Sequence, residues 1–215
     1  MKRTLYAAGT ALCLLLLLIV ILCAAVTHLG RDGELYARCF HAFADTRALG
    51  LPTDAYDGIG QALGDYFSGE AVDFPYFNAR EKAHLADIQA LFRLFDRAWL
   101  LVIPAAAIAF WLLKKRDFRG FLLGCGCTAV LLGALAAYIA VDFEGAFLLM
   151  HRLLFTNELW LLNPQTDLLI CLMPEAMFIY LAGRLALLVI PAWLLIPTLI
   201  ILGGTIKWNR SRCAP

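Results

Sequence analysis

Residues 5–27, LYAAGTALCLLLLLIVILCAAVT, decide which solvent this chain folds in. The run carries no charge, and it exceeds the roughly 20 apolar residues a helix needs to cross a hydrocarbon core about 30 Å thick. Met1-Lys2-Arg3 precedes it. A cleaved signal peptide also begins with basic residues, but its apolar core is usually about 7–15 residues long and ends at small residues. The run is longer than that and is read as an uncleaved anchor. A lipid-attachment motif at Cys23 is rejected because Leu22 stands where a small residue belongs.

Three further apolar stretches follow, at residues 98–113, 120–141 and 184–206. The chain of 215 residues is 62% hydrophobic with a mean hydropathy of +0.75. Water-soluble domains are about half apolar, so the excess calls for lipid as the surrounding medium. The expectation is an all-α, polytopic membrane protein: one integral membrane domain over 1–215 with four spans and two outer segments, 28–97 and 142–183. Lys2 and Arg3, the 114–119 turn, and Lys207, Arg210 and Arg212 all fall on one side of this layout, with Asp117 the only acid among them. Basic residues favour the cytoplasmic face, so both termini are expected there. A net charge of +1 argues against a nucleic-acid partner.

The cysteines do not form a secreted disulfide framework. Cys13, Cys23, Cys125, Cys127 and Cys171 sit in apolar stretches, Cys213 is at the tail, and only Cys39 lies in polar sequence. The GCGC run at 124–127 is read as small helix-packing residues rather than a metal pair. Residues 28–78 read as loop with short amphipathic pieces. In FNAREKAHLADIQALFRLFDRAW, Asn78 is placed to cap a helix, with Glu81 three residues on as in a capping box. Leu85, Ile88, Phe92 and Phe95 recur at helical spacing, so this helix is expected on the membrane surface, ahead of the second span. Residues 142–183 are apolar but interrupted by His151, Asn157, Glu158, Pro164, Asp167, Pro174 and Glu175. They read as helices lying at, or dipping into, the interface.

Four histidines carry the candidate chemistry. His151 interrupts an apolar stretch with Arg152 beside it. An ionisable residue there is costly and is a functional candidate by default; an interfacial histidine satisfying a helix terminus is the competing reading. His84 shares a helix with Asp87 one turn on, and Asp87, Glu81 or Arg80 could orient its ring. HxxD on a charged helix face also arises by chance. His28 and His41 lie in loop-like sequence. No GxSxG, HExxH, GxxxxGK[ST] or GxGxxG motif is present, and His84, His151 and nearby carboxylates lack a diagnostic metal spacing, so no metal or cofactor is expected.

FNAREKAHLADIQALF, followed by a span and then FEGAFLLMHRLLFTNELWLLNPQTDLLICLMPEAMF, resembles the lipoprotein intramolecular transacylase (Lit) family, from about residue 74 on. The resemblance implies a bacterial acyltransferase in the cell membrane, acting at the outer leaflet. Its substrate would be a lipoprotein whose N-terminal cysteine carries a diacylglyceryl thioether. The sn-2 acyl chain would move to the cysteine α-amine, leaving the lyso form. The family's histidines fall on His84 and His151. Supporting or substrate-binding roles are expected for Asp87, which would orient His84, and for Arg80, Glu81, Asn157, Glu158 and Trp160; Trp160, Pro164 and Pro174 are read as shaping an acyl groove. The partners expected are the diacylated lipoprotein and membrane lipids, with the chain a monomer. Two rivals remain: a non-enzymatic membrane scaffold or partner-binding protein, and a lipid esterase using the same histidines.

Overall fold

The computed structural model describes residues 2–45, 49–115 and 117–212. Among them every regular element is helical: α1 (Lys2–Gly30), α2 (Gly33–Phe43), α3 (Thr53–Ser68), α4 (Ala79–Phe95), a 3₁₀ turn (Ala98–Leu101), α5 (Val102–Lys115), α6 (Phe118–Val141), α7 (Phe143–Leu154), α8 (Leu168–Leu172) and α9 (Glu175–Arg212). Arg116 and Cys213, used above for orientation and cysteine placement, lie outside the described residues.

Four helical stretches are long and apolar enough to cross a membrane: Lys2–Gly30, Ala79–Leu112, Phe118–Val141 and Glu175–Leu202. Their apolar side chains mostly point away from the protein. Val130 is 74% exposed and Leu187 76%, a pattern that water would penalise and lipid does not. In the second stretch, Arg80, Glu81, Lys82, Asp87, Arg93, Asp96 and Arg97 crowd the first part. The crossing portion therefore begins at Ala98, and α4 lies outside it. The four residues of the 3₁₀ turn and the fourteen of α5 rise about 2.0 and 1.5 Å each, about 29 Å in all. The extended pitch of the turn brings a short apolar stretch close to the thickness of the hydrocarbon core.

The chain divides into two compact units. The first comprises Met1–Cys23, Ala98–Ala137 and Ala186–Pro215. Lipid supplies no hydrophobic drive between its helices, so close approach and polar links hold them. A Cβ on Gly124 would stand 2.6 Å from the Ala7 carbonyl oxygen, so α6 and α1 touch backbone to backbone there. The Trp193 indole N–H donates to the Leu14 carbonyl at 2.9 Å, and the Tyr6 hydroxyl to the Leu112 carbonyl at 2.9 Å. The GCGC run is split by its helix: Gly124 and, one turn on, Thr128 are buried, while Cys127 faces out.

The second unit comprises Ala24–Arg97 and Tyr138–Leu185. Its apolar core gathers Leu35, Phe40, Tyr56, Leu63, Phe67, Leu85, Phe92, Leu169, Leu172 and Met177. The polar segment after the first span is more regular than expected. His28 lies in α1 and His41 in α2, neither of them in a loop. The pairing of α2 with α3 rests on glycines: a Cβ on Gly60 would lie 2.7 Å from the Ala37 amide nitrogen, and one on Gly64 2.7 Å from that of Gly33. Backbone cannot rotate aside as a side chain can. Gly64→Ala is expected to destabilise this unit by about 1–3 kcal/mol. Gly58→Ala on the same helix meets nothing within 4 Å and should gain up to about 1 kcal/mol from helix propensity. Thermal unfolding in detergent separates the two; equal midpoints would refute the close-packing argument.

Candidate active site

The site is built within the second unit. The helix carrying His84 starts at Asn78, whose side-chain oxygen accepts the Glu81 amide at 3.0 Å while Glu81 Oε2 accepts the Asn78 amide at 2.7 Å. The capping box expected from sequence is present. Glu81 does more than cap. It is 1% exposed, and its Oε1 accepts the Leu169 amide at 2.6 Å, supplying from another helix the acceptor that the N-terminus of α8 lacks. Asn78 Nδ2 donates to Asp167 Oδ1 at 2.8 Å. Asp167 also accepts the Asn163 amide at 2.7 Å and the Thr166 hydroxyl at 3.1 Å. The Asn163 amide, with Asn78, Thr166 and Arg80 adding to it, holds the Asp167 carboxyl below its ordinary range. Arg80 Nη2 donates to the Glu158 carbonyl at 2.6 Å, and Asn157 Nδ2 to Asp87 Oδ2 at 2.9 Å. Four polar links thus fasten α4 and its cap to residues distant in sequence, three to the irregular segment between α7 and α8 and one to α8 itself.

This fastening brings His84 and His151 together. Their ring centroids are 6.4 Å apart, and the Phe155 ring lies 5.2 Å from the first and 5.6 Å from the second. Both imidazoles are buried, at 5% and 9% exposure. Hydrogen bonds of about 3 Å on either side let one reacting group touch both rings. His151 Nδ1 lies 2.8 Å from the Phe147 carbonyl oxygen. A carbonyl only accepts, so Nδ1 bears the proton and Nε2 keeps its lone pair. His84 Nδ1 is buried with no hydrogen-bond partner, which is costly unless something else fills the role.

Burial holds the His84 imidazole well below its ordinary value, to about 4; His151 adds to the shift and Asp87 opposes it. Burial also lowers His151, against the pull of the Phe147 carbonyl. Both shifts favour the neutral ring near pH 7.

The expected supporting residues take particular places. Asp87 does not hold the His84 ring; it accepts from Asn157 instead. Glu81 and Arg80 likewise bind backbone groups across the interface rather than the imidazole. Glu158 contributes its carbonyl. Trp160 packs 5.1 Å from His151 and donates its indole N–H to the Asn157 carbonyl at 2.8 Å. Phe147 and Phe155 around His151, and the Asn78–Asp167 link, were not legible as site features. Phe147 did carry one signal, its position one turn before His151. His28 lines a shallow recess with Ala24, Thr27, Arg31 and Asp32. His41 pairs with Asp57 at 2.9 Å.

Apolar crossing helices together with a buried pair of neighbouring imidazoles define an all-α, polytopic membrane protein. The family model for the lipoprotein intramolecular transacylase Lit matches residues 11–178. The chain belongs to this family of acyltransferases. No curated protein matches it. Among solved structures, it is similar to the membrane-integral Lit of Bacillus cereus, with 22% identity, a TM-score of 0.72 and 98% of each chain covered. A variant of that protein with a histidine replaced by alanine aligns at 21% identity and TM-score 0.69, covering 98% of this chain and 96% of the other. A variant with arginine in place of a histidine gives 21% and 0.68, covering 96% and 95%.

Proposed function

We propose that the chain moves the sn-2 acyl chain of a diacylglyceryl-cysteine onto the α-amine of the same cysteine, with His84 and His151 as the catalytic pair. The observation that carries this reading is the pair itself: one imidazole with its lone pair set free by a backbone bond, facing another whose buried Nδ1 is unpaired. The amine nitrogen attacks the ester carbonyl and gives its proton to His151 Nε2. The new C–N bond forms, the C–O bond to glycerol breaks, and the same proton passes to the departing glycerol oxygen. His84 donates to the oxygen that bears negative charge in the tetrahedral intermediate; such a donor is commonly worth about 3 kcal/mol. Amine and ester belong to one molecule, so effective molarities of about 10⁵ M or more replace an enzyme nucleophile. Arg80, Glu81, Asp87, Asn157 and Glu158 hold the two halves of the site in register, and Trp160 packs on His151.

Both termini lie in the cytoplasm, the second unit sits at the outer leaflet, and the chain works as a monomer among membrane lipids. The exposed Leu149, Met150, Leu153 and Leu154 of α7 suit an interfacial helix beside acyl chains. The test is product identity. A dipalmitoyl-type lipopeptide isotopically labelled in its sn-2 chain, incubated with the purified protein, should yield N-acyl-cysteine carrying the label. Labelled free fatty acid would make the protein an esterase, and an unchanged lipopeptide would leave the scaffold reading.

Acidity provides a second check. A depressed imidazole stays neutral until pH falls through its lowered value. Log kcat/KM should therefore fall with unit slope below about pH 8, as the substrate amine protonates. It should steepen only below 6.5, the ordinary imidazole value, because both imidazoles are lowered from it. A second break at or above 6.5 would contradict the neutral, buried pair.

A further inference from the structure

In familiar histidine-based acyl transfer, a carboxylate behind the imidazole stabilises the imidazolium that forms. Among the described residues no carboxylate pairs with His151. Its Nδ1 is committed to the Phe147 carbonyl, and Asp87, one turn from His84, is held by Asn157. Three aromatic rings surround it instead, with centroids at 4.1 Å for Phe147, 5.1 Å for Trp160 and 5.6 Å for Phe155. All three fall within the roughly 6 Å over which a cation is drawn to an aromatic face. His151 also stands in the last turn of α7, where the helix dipole favours positive charge.

We infer that Trp160, with Phe147 and Phe155, forms an aromatic collar that serves in place of a triad carboxylate by stabilising the His151 imidazolium. Trp160 is thereby a positioning residue for the transfer, acting through His151. The inference rests on the reading of His151 as the base. The ring quadrupoles attract the charged imidazole far more than the neutral one, so the collar's contribution appears as the amine proton arrives and lowers the barrier without tightening the ground state. Trp160 is the strongest of the three because indole has the most negative face. Its N–H bond to Asn157 fixes the ring against the imidazole.

Ring fluorination tests this, because it weakens the face while leaving the shape and the indole N–H almost unchanged. The chain has five tryptophans, so mono-, di- and trifluorotryptophan are incorporated into both the wild type and Trp160→Phe, and single-turnover acyl transfer is measured. The wild-type rate should fall stepwise with each added fluorine, about 10-fold across the series, while Trp160→Phe should show no trend. A flat wild-type series, or equal slopes in the two backgrounds, would overturn the collar. His151→Ala, measured alongside, separates the failures. If that variant keeps wild-type activity, the assignment of the base falls; if it is inactive while the fluorine series stays flat, the collar alone falls.

Discussion

His151→Ala is expected to lower the rate of acyl transfer by about 10³-fold, and His84→Ala by a comparable factor. General acid–base groups placed within hydrogen-bond reach contribute about 10²–10⁴, and in the proposed mechanism each imidazole handles a proton or an oxyanion. Groups that act as a unit do not multiply when removed together, so the double variant should be scarcely slower than either single one. The residual rate should reflect binding alone, through the intramolecular juxtaposition of amine and ester. Because His84 packs on Phe155, its removal leaves a gap; His84→Gln, which nearly fills the space, should be almost as inactive while unfolding near the wild-type temperature. Rates within 3-fold of wild type for both alanine variants, by mass spectrometry of the lipopeptide, would remove the histidine mechanism. Independent, multiplicative losses would instead mean that the two rings serve separate steps.

The largest effect on stability is expected at Glu81. Its carboxylate bonds two amides that otherwise have no partner, Asn78 at the head of α4 and Leu169 at the head of α8. Asn78 is exposed and water can replace its bond, so the loss there is about 1 kcal/mol, as for other caps. Leu169 is buried, and leaving its N–H without an acceptor costs about 1–3 kcal/mol more. Glu81→Ala should therefore destabilise the protein by about 3 kcal/mol. Glu81→Gln, which keeps one acceptor oxygen, should lose about half of that. Activity should fall with stability, because the same carboxylate anchors α8, where the segment after His151 ends, to the helix that carries His84. Thermal unfolding within 0.5 kcal/mol of wild type for the alanine variant would show that the link is dispensable.

Much of the outline was legible residue by residue. The apolar stretches announced the crossing helices because lipid rewards uninterrupted hydrophobicity, and the Asn78–Glu81 box marked a helix start because its pattern is local. Where the reading erred, the deciding contact was distant. His28 and His41 looked like loop residues because the glycines that let α2 and α3 pack resemble turn signals in isolation. Asp87 looked like the orienting partner of His84 because it lies one turn away, yet Asn157, seventy residues on, captures it. The aromatic surroundings of His151 were equally hidden, since Phe and Trp in an apolar stretch carry no mark that distinguishes a lipid-facing ring from one packed on an imidazole.

Sequence by itself determined the medium, the helical class and the two histidines worth following, because hydropathy and local capping depend on neighbours within a few turns. Only the tertiary structure decided that those histidines face each other, which ring nitrogen is free, and which acids hold the backbone instead of an imidazole. Such choices arise where α4 meets the segment after α7, and geometry between remote segments leaves no trace in the order of residues along either one.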